Sequence, residues 1–106
     1  MTTEDLIDKL AVQVQGEKDK REIIVFTLST CMWCKKCKRF LNDRNIKYRY
    51  IDMDQIPYPQ KSEILDYLRE NYNERISYPY MVCDKDDVVV GYNPEKYEEL
   101  LKEGAE

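Results

Sequence analysis

The chain has 106 residues, 42% hydrophobic and 36% charged, enough apolar material for one core with a well-solvated exterior, so residues 1–106 are expected to form a single domain. A formal net charge of −4 argues against nucleic acid or an anionic membrane as the main partner. With no histidine and only three glycines, imidazole-activated nucleophiles and glycine-rich phosphate loops are excluded.

Thr2 and Asp5 stand at capping-box spacing, and Leu6, Ile7, Leu10, Ala11 and Val14 recur at helical intervals, so a helix is expected over residues 4–14. The start of the chain is acidic where a secretory leader would be basic, and no apolar run approaches the ~20 residues of a bilayer span. The expected location is therefore cytoplasmic. Gly16 and the charged residues 17–22 form a solvated connection to residues 23–28, a β-branched apolar run suited to a central strand covered on both faces.

Ser29-Thr30 breaks that strand, and from Met32 to Asn42 or Asn45 the pattern is helical, with Cys34, Cys37, Phe40 and Leu41 on one face. Residues 47–53 read as a second strand, completing a right-handed β-α-β unit. A third helix over about residues 60–72 faces inward through Ile64, Leu65, Leu68 and Tyr72. Residues 80–83 and 88–90 flank a polar turn and read as an antiparallel hairpin. Asn93 then caps a last helix with Pro94 in its first position and Tyr97, Leu100 and Leu101 as its buried stripe. The expected class is α/β, a four-stranded mixed sheet flanked by helices with an extra helix at the N-terminus.

Three of the four cysteines, at 31, 34 and 37, cluster between strand and helix, which favours redox or metal chemistry over structural crosslinks. In Cys31-Met32-Trp33-Cys34 the first cysteine falls at the start of a helix, where unpaired backbone N–H groups and the positive end of the dipole stabilise a thiolate. The second points inward one turn later, close enough for a reversible disulfide. Cys31 is thus the candidate attacking thiolate and Cys34 the resolving thiol. Lys35, Lys36, Lys38 and Arg39 make this end of an acidic chain locally positive; the cluster is read either as a solvated face or as a docking surface.

The ordered combination of strand, Cys-x-x-Cys, helix with Phe40-Leu41, strand ending Ile51-Asp52-Met53-Asp54, Tyr78-Pro79, hairpin and final helix resembles the glutaredoxin family over about residues 23–102. The resemblance implies a thioredoxin fold and a protein disulfide oxidoreductase working by dithiol exchange without a bound cofactor or metal. It also implies that Pro79 is a cis-proline opposite the cysteines. The backbone of Tyr78 would then pair with an extended substrate, and Trp33 would add an apolar contact. Members that use glutathione usually carry Cys-Pro-Tyr-Cys, a lysine where Leu28 stands, Thr-Val-Pro, and Gly-Gly where this chain has Gly91-Tyr92. These departures point to disulfide-containing protein substrates and to re-reduction by a dedicated reductase, thioredoxin-reductase-like or ferredoxin-dependent, rather than by glutathione.

The alternative is a metal or iron-sulfur carrier using Cys31, Cys34 and Cys37. Against it, Cys37 and Cys83 read as small buried hydrophobes. Tyr48, Tyr50, Tyr67 and Tyr97 are expected to pack with their hydroxyls near water, and Asp52 and Asp54 to serve a strand-end turn.

Overall fold

A computed structural model describes residues 2–104. One sheet carries five strands in the order β1 (Val12–Val14), β3 (Tyr48–Asp52), β2 (Ile23–Thr27), β4 (Tyr80–Cys83) and β5 (Asp87–Val90). β2 runs parallel to β3, and the remaining neighbours pair antiparallel. Helices α2 (Met32–Asp43) and α4 (Pro94–Gly104) cover one face, and α1 (Thr3–Leu10) and α3 (Tyr58–Asn71) the other.

The two-sided burial of β2 follows from its composition: all five residues are apolar or β-branched, and all five are buried. Successive side chains alternate between layers. Ile23 and Val25 join Cys37, Phe40, Leu41 and Tyr97 on one side, while Ile24 and Phe26 join Ile7, Ile64 and Leu68 on the other. β2 is therefore fixed from both faces, and the residue that follows it is held at a defined place at the sheet's end.

The sheet has one strand more than its sequence pattern suggests. The helix expected over residues 4–14 stops at Leu10, and β1 pairs antiparallel with β3, Val12 opposite Tyr50 and Val14 opposite Tyr48. The capping box at Thr2 and Asp5 forms as expected, so only the far end differs. Val14 satisfies helical spacing, but Val12-Gln13-Val14 equally satisfies strand alternation, and the open edge of β3 supplies hydrogen-bond partners a helix would not need. Gly16 then passes so close to the Asn45–Lys47 backbone that a Cβ there would sit 2.5 Å from the Ile46 carbonyl carbon.

Other boundaries shift by one or two residues: β3 ends at Asp52, with Met53 in a short 3-10 turn (Met53–Gln55), and α3 begins at Tyr58. The expectation for the tyrosine hydroxyls fails at Tyr97. That ring is 0% exposed beneath α4, T-stacked on Phe40 at 5.3 Å, and its hydroxyl donates to the Gly91 carbonyl at 2.8 Å. Tyr48 is likewise buried, at 3%. No helix among the described residues is long and apolar enough to cross a membrane.

Candidate functional site

Thr27 closes β2, and the segment Leu28-Ser29-Thr30 turns the chain into α2. Asp54 anchors this turn from the 3-10 segment after β3, accepting the Ser29 backbone N–H at 2.8 Å and the Ser29 hydroxyl. Those bonds, the hydroxyl first, hold the Asp54 carboxyl down at about 2. Asp52 accepts from the buried Thr27 hydroxyl and pairs with Lys38 at 3.2 Å. The two aspartates thus fasten the strand end to α2 and to the turn before it, the role expected of them.

Cys31 is the N-cap of α2, its Sγ accepting the Cys34 backbone N–H at 3.3 Å while its own N–H donates to the Leu28 carbonyl. Sulfur here occupies the position of a capping oxygen, so negative charge on it meets a donor and the positive end of the helix dipole. Cys31 is half-buried and Cys34 fully buried one turn further on. Burial first, and then the hydrogen bond to Cys31, push the Cys34 thiol up to about 12. One sulfur is half-exposed at the start of the helix; the other is a buried thiol whose ionisation burial opposes.

The remaining expected site residues lie around this pair. The Tyr78–Pro79 peptide bond is cis, as the resemblance implied, and the Pro79 carbonyl accepts the Gly91 N–H at 2.8 Å. Tyr78 is half-buried; its phenol is raised by burial, with a further push from the nearby Cys34 sulfur. Trp33 is 53% exposed and stacks on Tyr92, ring centroids 5.9 Å apart and planes inclined by 27°, with Lys36 Nζ 4.6 Å from the indole centroid. Tyr92 in turn meets Tyr97 edge to face.

Sequence reasoning missed Tyr92, although its place between Gly91 and the Asn93 cap of α4 was a signal that α4 would present it beside the motif. The Asn93 side chain accepts the Lys96 N–H at 3.2 Å, so the start of α4 is capped from within the chain.

Cys37 and Cys83 are 0% exposed core thiols, each pushed up to about 11 chiefly by burial. Lys38 and a Tyr97 hydrogen bond oppose that shift at Cys37, and Arg21 opposes it at Cys83. Among the described residues no group of three or more Cys, Asp, Glu or His side chains is placed to hold a metal ion. A cavity of about 420 Å³ lies at the opposite end of β2, between residues 17–23 and the end of α4, and none of the site residues lines it.

Comparison with known proteins gives a consistent picture. The family model for glutaredoxin matches residues 23–89. The "Gene 56 protein" of Mycobacterium phage D29 is 28% identical over 79 residues, 74% of this chain and 81% of that protein. Among solved structures, the glutaredoxin from Methanosarcina mazei Go1 superposes with a TM-score of 0.76 at 28% identity, covering 86% of each chain. Methanosarcina acetivorans methanoredoxin follows with 0.72 at 29% identity, covering 78% of this chain and 86% of that one.

Proposed function

The chain belongs to the glutaredoxin family, and on that premise we propose that it reduces protein disulfides by dithiol exchange, with Cys31 attacking and Cys34 resolving. The observation that carries this reading is the pairing of a half-exposed sulfur at the N-cap of α2 with a fully buried thiol hydrogen-bonded to it one turn on.

In the first step the Cys31 thiolate attacks one sulfur of a substrate disulfide. A Cys31–substrate disulfide forms, and the substrate's other sulfur leaves as a thiolate and takes a proton from water. In the second step Cys34 loses its proton to solvent and attacks Cys31 Sγ, forming the Cys31–Cys34 disulfide and expelling the second substrate sulfur as a thiolate that takes up a proton in turn. Two electrons pass to the substrate. Cys34 is a poor nucleophile until Cys31 is covalently engaged, because burial and the adjacent sulfur keep it neutral. Tyr78 and Pro79 supply the backbone edge beside which the substrate chain lies, and Trp33 an apolar contact.

Re-reduction of the internal disulfide requires two electrons and two protons, which a dedicated reductase rather than glutathione would supply. Two features support this part: the Trp33–Tyr92 stack stands beside the motif, and the start of α4 is already capped by Asn93. The place of action is the cytoplasm.

The test is the Cys34→Ser variant, which stops the reaction after the first step. It should accumulate mixed disulfides with protein substrates through Cys31, visible as reducible adducts, and Cys31→Ser should form none. Absence of adducts with Cys34→Ser would remove the mechanism. Insulin reduction driven in parallel by glutathione, a nicotinamide-dependent reductase and a ferredoxin-dependent reductase identifies the donor; turnover with glutathione alone would overturn the proposed preference.

A further inference from the structure

The outward side of α2 has no role in the exchange chemistry. Met32, Lys35, Lys36 and Arg39 recur at intervals of three, four and seven, which places them on one stripe of the helix, and all four are exposed. Met32 is 65% exposed and neighbouring Trp33 53%, so an apolar platform borders Cys31 and continues into three cations. Three basic side chains on or near α2 have acidic partners: Lys38 pairs with Asp52, Arg44 with Glu98 and Arg49 with Asp8. Lys35, Lys36 and Arg39 have no carboxylate partner among the described residues.

This arrangement is unfavourable for the isolated protein in two respects. The first turn of α2 holds no acidic residue, and the positive end of a helix dipole repels cations such as Lys35 and Lys36. The chain also has 21 acidic residues against 17 basic ones, ample carboxylate to neutralise the stripe had the fold placed it there. A segment that brings carboxylates to the stripe removes both penalties, and an apolar side chain on the same segment covers Met32 and Trp33.

We propose that this stripe docks an acidic segment of the protein partner: an extended stretch bearing two or three carboxylates and one aromatic or aliphatic side chain, next to the sulfur presented to Cys31. The identity of that sulfur rests on the redox reading; the docking requires only the stripe. A nucleic acid would satisfy the cations but would run on to the acidic remainder of the chain, where it is repelled.

Trp33 is the one tryptophan in the sequence, so its fluorescence reports binding at the site directly. Two tryptophan-free peptides of equal length with serine in place of cysteine, one carrying Asp and Glu beside a phenylalanine and one carrying Lys there, are titrated into the reduced protein. A single-stranded oligothymidylate forms the third arm. At low salt the acidic peptide should bind about ten-fold more tightly than the basic one, and the ratio should fall to about two-fold at 1 M salt, where the screening length is ~3 Å. The Lys35→Glu/Arg39→Glu variant, which leaves the Trp33–Tyr92 stack in place, should reverse the preference.

Equal binding of both peptides at low salt, a ratio insensitive to salt, or an oligonucleotide that binds more tightly than the acidic peptide would overturn the proposal. The wild-type salt dependence decides the matter even if the variant fails to fold. Because the peptides contain no sulfur, docking can hold while the Cys34→Ser trap fails, or fail while the trap succeeds, so the two readings are separately refutable.

Discussion

The four cysteines should differ in reactivity by orders of magnitude, and the structure sets the scale. Burial pushes the Cys34 thiol up to about 12 and those of Cys37 and Cys83 to about 11. At pH 8 such thiols are ionised to roughly one part in 10⁴ and one part in 10³, against roughly a quarter for an exposed thiol titrating near 8.5. Only the thiolate attacks iodoacetamide, so the buried three should react about 200-fold to 2,000-fold more slowly on ionisation alone. All three are 0% exposed, so the reagent must also wait for the chain to open. Cys31 is half-buried and accepts a helix N–H, and it alone should be modified quickly.

The assay is timed alkylation of the fully reduced protein at pH 8, with peptide mass spectrometry assigning each site. One equivalent should be taken up on the Cys31 peptide, and the other three should follow only after urea is added. Modification of Cys34 within about ten-fold of the Cys31 rate would refute the burial argument and with it the division of labour between the two thiols.

The same substitution at two fully buried tyrosines should have different outcomes. Tyr97→Phe deletes a hydroxyl that donates to Gly91 at 2.8 Å and should cost about 1–2 kcal/mol, read as a lower urea midpoint. The Tyr80 hydroxyl has no hydrogen-bond partner among the described residues, so Tyr80→Phe should be neutral or stabilising; equal losses at both sites would show that the hydroxyl pairing is irrelevant. The contribution of the buried thiols to stability should be level below about pH 8 and fall as pH rises from the unfolded thiol value of about 8.5 toward the folded values, because the unfolded chain releases protons that the buried thiols retain. Cys37→Ala should flatten that decline by up to ~1.4 kcal/mol per pH unit between about pH 9 and 11, measured by urea titration; an unchanged slope would contradict a buried neutral thiol. Gly16→Ala should lower stability by about 1–3 kcal/mol, since its Cβ would meet the Ile46 and Lys47 backbone at 2.5 and 2.6 Å; an unaltered thermal midpoint would mean that the loop yields freely.

The thiol pair and the strand-turn-helix that carries it were legible because they are local. The β-branched run of β2, the break at Ser29-Thr30 and the Cys-x-x-Cys opening an amphipathic helix each depend on residues a few positions apart, and so do the capping signals at Thr2 and Asn93. Hydrophobic periodicity likewise set the inward faces of α2 and α3.

What only tertiary structure decided depends on residues distant in sequence. Residues 12–14 suit a helix and a strand alike, and the choice fell to the strand because β3 offered an unpaired edge. Tyr92 comes to lie against Trp33 only when α4 packs beside α2, and Tyr97 loses its water for the same reason. Asp54 reaches Ser29 across 25 residues of intervening chain. That Lys35, Lys36 and Arg39 form no ion pair among the described residues is also a fact of packing, because a sequence specifies which charges exist but the fold determines which of them meet.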